Sequence, residues 1–364
     1  MKKFTELFID ETKNGTKIKT GGYNKSGKYP IIDQGQDSIA GYNDDESGIY
    51  KDVPAIIFGD HTRVIKYIDT PFFIGADGVK ILRCKDKNAN YRYLYYALRN
   101  AKIPNTGYNR HFKWLKEISI RYPNYVEQKS IVEVLDRVSL VIQKREEELS
   151  RLDELVKARF AEMFGDPVRN EKGWEVKVLS DVGSCKNGMN FHNDETGVQI
   201  HCLGVGDFKD NSFITDTESL PLIALSETPA KEYLLENDDI VFVRSNGNKN
   251  LVGRSVLVYP NDIPVTFSGF CIRYRLKDAC LNPQYLLQVL KADSIRNLMH
   301  GRGANIQNLN QKILLNVMVP IPPLDLQNQF VVFTHQVEKS KAAVQRSLEE
   351  TQTLFDSLMQ TYFG

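Results

Sequence analysis

The chain has 364 residues, and its 41% hydrophobic and 26% charged residues are the composition of an ordinary globular protein of two or three domains. Lys and Arg (47) balance Asp and Glu (46), which excludes a uniformly basic coat but leaves room for a local basic face. No apolar run approaches the ~20 residues that span a bilayer, Lys2 and Lys3 lead into no apolar signal core, and the five scattered cysteines, never in C-x2-C spacing, favour a reducing cytoplasm over a disulfide framework or a zinc site.

Residues 1–121 read as a mixed region. Short runs at 55–58, 64–68 and 79–84, separated by Gly, Asn and Asp clusters, predict strands, and 91–99 predicts a helix. This region carries 21 Lys and Arg against 14 Asp and Glu, a net charge of +7. Residues 122–165 follow as one long helix. A seam stepping by three and four from Ile131 through Leu135, Val138, Ile142, Leu149, Leu152 and Val156 to Met163 is interrupted only by Arg145 and Arg159. Residues 166–320 form a second mixed region, with strands predicted at 240–243, 254–258 and 271–276 and a helix over 283–299. Residues 321–364 form a last long helix, with a seam from Phe330 to Tyr362. Each of these three later parts has a net charge of −2.

The two helical parts repeat one another. Residues 122–165 and 321–364 align without a gap and share eight identities, among them Pro123 with Pro322, Gln128 with Gln327, and the closing Phe164-Gly165 with Phe363-Gly364. The mixed regions correspond at their starts, where Leu7 and Lys13-Asn14-Gly15 match Leu179 and Lys186-Asn187-Gly188. The repeat predicts an α+β architecture of globular domain, long helix, globular domain, long helix, with the helices packed against each other.

Catalytic patterns are incomplete. Gly22 to Lys28 has phosphate-loop spacing, but Tyr29 replaces the magnesium-binding hydroxyl and Pro30 blocks the following helix. Gly204 and Gly206 lack a third glycine in register. Asp166, Glu175 and Lys177 mimic a nuclease spacing across a stretch broken by Pro167 and Gly173. The six histidines show no H-x3-H spacing, and Tyr122-Pro123-Asn124-Tyr125 has the wrong order for the base-holding motif of an amino-methyltransferase.

Several segments carry a family resemblance: Glu127-Gln128-Lys129-Ser130-Ile131-Val132, Arg159-Phe160-Ala161-Glu162-Met163-Phe164-Gly165-Asp166, Gly173-Trp174-Glu175-Val176, Asn308-Leu309-Asn310-Gln311 and Val319-Pro320-Ile321-Pro322-Pro323-Leu324. In their order along the whole chain they resemble the specificity subunit of type I restriction–modification systems. The resemblance implies two target-recognition domains, 1–121 and 166–320, each reading one half of a bipartite asymmetric site in double-stranded DNA. It implies two spacer helices, 122–165 and 321–364, packed as an antiparallel coiled coil that sets the gap between half-sites. It implies a non-catalytic chain without a cofactor. S-adenosylmethionine would be bound by modification (methyltransferase) subunits, two of them, and ATP and Mg2+ by restriction/translocase subunits. The other reading of the residues is a two-lobed protein-interaction adaptor that does not bind DNA.

Polar residues beside Gly or Asn turns, able to meet phosphates or base edges, are the candidate contacts. In the first domain these are Lys17, Lys19, Gln36, His61, Arg63, Tyr108, Arg110 and His111; in the second, Lys186, Arg244, Asn246, Asn248, Lys249, Arg254, Arg302, Asn305 and Gln307. The acidic balance of the second region requires its basic residues to be concentrated in loops.

Overall fold

The computed structural model describes residues 1–75, 77–191, 196–208, 212–300 and 308–364. The chain divides into two compact units, Met1–Glu148 with Val344–Gly364, and Leu149–Ala343.

In the first unit, β1 (Phe8–Asp10), β4 (Ala55–Gly59), β5 (Ile65–Ile68) and β7 (Val79–Cys84) form an antiparallel sheet in the order β1-β7-β4-β5. A smaller sheet holds β2 (Tyr29–Ile32) between β3 (Gly41–Asn43), antiparallel, and β6 (Phe73–Ile74), parallel. The second unit repeats this plan. Here β8 (Gly183–Asn187), β12 (Asp239–Val243), β13 (Ser255–Val258) and β15 (Cys271–Leu276) take the order β8-β15-β12-β13, and a short β10 (Phe213–Ile214) is added in parallel beyond β13. The small sheet has β9 (Val198–Leu203) between antiparallel β11 (Leu222–Leu225) and parallel β14 (Val265–Phe267).

The central strands are buried along their whole length because both faces are covered. Side chains alternate across a strand, so Ile56 and Phe58 face helix α1 (Tyr91–Arg99), while Ala55 and Ile57 face the small sheet. Ile240 and Phe242 likewise join α3 (Pro283–Lys291), and Val241 and Val243 join Val265 and Phe267 of the small sheet. Both helices start on asparagine. Asn90 accepts from the Arg92 and Tyr93 amides, and Asn282 accepts from the Gln284 amide with Pro283 following it. The helix expected over 283–299 is broken. Ala292 is extended, with ψ of 136°, and a separate helix, Asp293–His300, follows.

The long helices α2 (Tyr125–Phe164) and α4 (Leu324–Phe363) explain the repeat identities. Gln128 and Gln327 are buried. Each accepts from the amide of the capping asparagine of its unit's shorter helix, Asn90 and Asn282, and donates to the carbonyl of Pro123 or Pro322. Gln327 also donates to the Cys280 carbonyl. The Phe-Gly ends serve the opposite units. Phe164 packs on Tyr285 in the second unit and Phe363 on Tyr93 in the first. Gly165 takes φ of +77°, the left-handed cap that glycine adopts without strain. Within the second unit the two helix segments run antiparallel: Phe160 meets Phe330, Arg159 lies over Phe333, and Asp153 pairs with Lys341 at 2.8 Å.

Replacing Gln327 with leucine strands the Asn282 amide and two carbonyls in a buried site. A loss of about 2 kcal/mol is expected, because unsatisfied buried groups cost more than a hydrogen bond contributes. Urea unfolding followed by tryptophan fluorescence reads this, and an unchanged midpoint would show that Gln327 merely fills space.

Candidate nucleic-acid interface

Four loops of the first unit converge. Gln34 ties three of them: its side-chain oxygen accepts from the His61 amide, its carbonyl accepts from the Thr62 hydroxyl, and its amide donates to the Asp77 carbonyl. The fourth loop, 104–111, is held by Asp60. The Asp60 carbonyl accepts from the His111 amide at 2.8 Å and lies 3.0 Å from its Nδ1, and its carboxylate accepts from the Phe112 amide at 2.7 Å. This assembly presents Tyr108, 87% exposed and stacked on His61 with ring centroids 4.7 Å apart. Arg110 is exposed on the same loop. Lys17 reaches the Asp77 carboxylate at 2.7 Å, and this bond is the main reason the Asp77 carboxyl sits below its ordinary range. Arg63 takes φ of +63° in the β4–β5 turn and donates to the Ile103 carbonyl.

One expected contact is corrected. His111 has no exposed surface, and its ring is bonded toward Asp60 and Thr106, so it fixes the loop that carries Tyr108 and Arg110. Lys19 is exposed ahead of a single 3-10 turn, Thr20–Gly22, and Gln36 is exposed on the β2–β3 loop.

In the second unit, Arg244 directly follows β12 and gathers neighbouring segments. Its amide donates to the Phe270 carbonyl, its guanidinium to the Gly269 carbonyl at 3.1 Å, and its carbonyl accepts from the Leu309 amide. The end of β8 joins through the Met189 carbonyl, which accepts from the Gly269 amide. Gly188 permits this approach, since a Cβ there would collide with the Phe267 and Ser268 carbonyls. The β12–β13 loop is shaped by Asn246, which accepts from the Asn248 amide, and by Asn248, which accepts from the Asn250 amide. Lys186 pairs with Glu232 at 2.6 Å and lies over the Tyr233 ring, so its charge is locally offset. Arg254 is partly buried where that loop returns to β13. Arg302, Asn305 and Gln307 lie outside the described residues, as does the side chain of Lys249, which opens a short 3-10 turn.

The sequence reading missed Phe270, which is 62% exposed at the tip of the β14–β15 turn directly against Arg244. An aromatic following Ser268-Gly269 in a turn was the available signal. It also missed Gln34 and Asp60, whose role depends on partners far along the chain. The assembled groups donate, accept and stack, which is binding chemistry. Burial pushes the Cys185 and Cys202 thiols up to about 12, away from thiolate reactivity. Among the described residues, no three His, Cys, Asp or Glu side chains gather as a metal set, and no helix is long and apolar enough to cross a membrane.

Comparison with known proteins bears on this geometry. The sequence model described as the type I restriction modification DNA specificity domain matches residues 1–151 and 171–351. The type I restriction enzyme StySPI specificity subunit of Salmonella potsdam is 27% identical over 264 residues, 67% of this chain and 56% of that protein. This chain therefore spans little more than half of that relative. The EcoR124I/EcoR124II specificity subunit of Escherichia coli is 25% identical over 343 residues, 86% of this chain and 80% of that one. In fold, the S subunit of a type I restriction–modification system from M. genitalium superposes with a TM-score of 0.58 at 17% identity, covering 100% of this chain and 95% of that one. A second solved chain, from a study of type I system assembly and conformational transition, gives 0.56 at 16% identity over 99% and 96%. The α+β reading agrees with both folds.

Proposed function

The chain belongs to the family of type I restriction–modification DNA specificity domains, and on that premise we propose that it is the DNA-reading subunit of such a system, each globular domain reading one half of a bipartite, asymmetric duplex site. One observation carries the reading. The same two-sheet plan occurs twice, and in each unit the strand ends converge on a cluster of cationic, amide and aromatic side chains, around Tyr108 and Arg110 in one and around Arg244 and Phe270 in the other. Such clusters suit phosphate positioning together with base-edge readout.

The proposed domains are 1–121 and 166–320, with spacer helices over 122–165 and 321–364. The antiparallel contacts of Phe160 with Phe330 and Asp153 with Lys341 support a coiled-coil arrangement of those helices. Modification subunits carrying S-adenosylmethionine would act on the bound site, and restriction/translocase subunits would supply the chemistry that uses ATP and Mg2+. This chain would position DNA and carry out no chemical step itself.

Duplex binding should weaken steeply as salt rises, because phosphate contacts release counterions. Arg110→Ala and Arg244→Ala should each cost about 1–3 kcal/mol in affinity for the cognate site, the range for a bidentate base contact. Replacing residues 1–121 with a relative's domain should change one half-site in the methylome of the assembled complex. Salt-insensitive or absent duplex binding would favour the protein adaptor. A change in both half-sites on domain exchange would rule out independent reading.

A further inference from the structure

The two units differ at one sheet edge. In the second unit, the Val243 amide donates to the Arg254 carbonyl, so alternation along the ladder turns Ser255 and Leu257 away from β12. Those outward groups are covered by β10: the Leu257 amide donates to the Ser212 carbonyl at 3.0 Å, and the Tyr259 amide to the Ile214 carbonyl at 2.9 Å. The first unit has the same register. The Gly59 amide donates to the Val64 carbonyl, and Ala55 stands opposite Ile68 as Asp239 stands opposite Val258. Ile65 and Tyr67 therefore occupy the places of Ser255 and Leu257. Among the described residues no strand is added beyond β5, and the main-chain groups of Ile65 and Tyr67 take no partner.

A groove of about 490 Å3 runs beside this open edge, lined by Tyr67, Arg63, Arg92 and Arg99 among others, and by no Asp or Glu. Arg92 is committed to Asp136 and lies over the Tyr67 ring. Arg63 donates only to the Ile103 carbonyl, and Arg99 only to the Tyr95 hydroxyl, so neither guanidinium has a carboxylate among the described residues. We infer that the β5 edge is a docking site for an extended, acidic segment of a partner protein, added as a strand where β10 sits in the other unit, with its carboxylates on Arg63 and Arg99. The alternation decides between peptide and nucleic acid. A peptide offers donors and acceptors that match both the amides and the carbonyls of Ile65 and Tyr67, whereas a phosphate backbone offers acceptors alone and leaves the carbonyls unmatched.

The probe is a short synthetic peptide alternating valine and glutamate, with a valine–lysine peptide as its control, added at saturating concentration to the intact chain. Hydrogen exchange at the Ile65 and Tyr67 amides should slow at least about tenfold with the glutamate peptide and stay unchanged with the lysine one. Arg99→Glu, an exposed change at the end of α1, should weaken glutamate-peptide binding at least about tenfold. Unchanged exchange at both amides would overturn the inference, as would protection by duplex DNA in place of the peptide. Neither arm depends on whether the chain reads DNA, so failure of the functional proposal is detected separately by the duplex titration.

Discussion

Arg275→Met should destabilise the second unit by about 3–5 kcal/mol, the range for stripping one partner from a buried ion pair. Asp239 opens β12, the strand that delivers Arg244, and its side chain has no exposed surface. Arg275 holds it with two bonds, Nε to Oδ1 at 2.8 Å and a terminal nitrogen to Oδ2 at 2.7 Å, while the Glu236 amide supplies a third donor. Burial still pushes the Asp239 carboxyl above its ordinary range, against the pull of Arg275, so the site pays heavily for its charge even when paired. Losing the guanidinium leaves that carboxylate without its main compensation. The companion variant Asp239→Asn with Arg275→Met should recover part of the loss, since the amide oxygen can still accept from the Glu236 amide and the buried carboxylate charge is gone, while the Glu236 carboxylate and the Arg273 guanidinium remain, each without a former partner. Urea denaturation of the two variants beside wild type measures both. Equal destabilisation of single and double variants would show that packing by the Arg275 stem, and not the buried charge, is what matters.

Lys291→Met should have the opposite sign, raising stability near neutral pH by about 2 kcal/mol. Lys291 ends α3 and donates to the Ser212 hydroxyl at 2.7 Å. Burial lowers its ammonium from the ordinary 10.5 to about 8; Lys341 and Arg254 push the same way, and Glu338 and Asp153 oppose them. The two carboxylates are largely engaged by Lys341, at 2.8 Å from Asp153 and 3.3 Å from Glu338. Because the folded pKa lies below the unfolded one, Lys291 is protonated more in the unfolded chain between these values, and its own contribution to stability rises with pH across that window. Below about pH 8 the full penalty is present, about 3 kcal/mol for a shift of this size. The methionine variant forgoes the Ser212 bond, which reduces the gain, and its advantage over wild type should shrink from about pH 8 to pH 10.5, against a background common to both in which the raised Cys185 and Cys202 thiols lower stability as pH rises. A difference between variant and wild type that stayed constant over that range would place Lys291 in contact with water.

Local periodicity made the architecture legible from the residues alone. Unbroken apolar runs at 55–58 and 240–243 report short strands covered on both faces, because a strand turns successive side chains to opposite sides. The seams from Ile131 and Phe330 report the long helices for the same kind of reason, and Gln128 with Gln327 marked the repeat before any partner was visible. The split at Ala292 escaped because Ala292 and Asp293 interrupt the main chain of a stretch whose composition stays helical on both sides. The candidate interface was legible only as an inventory of side chains. Whether a cation is free depends on groups distant in sequence: Lys17 and Asp77 are 60 residues apart, and Lys186 and Glu232 are 46 apart. His111 looked like a loop contact until Asp60, 51 residues earlier, drew it inside. Sequence periodicity determined the elements because each element's geometry is set by near neighbours. Tertiary structure alone decided which polar groups are spent, which face outward, and which sheet edge stays open, because those outcomes depend on partners that the chain brings together only when folded.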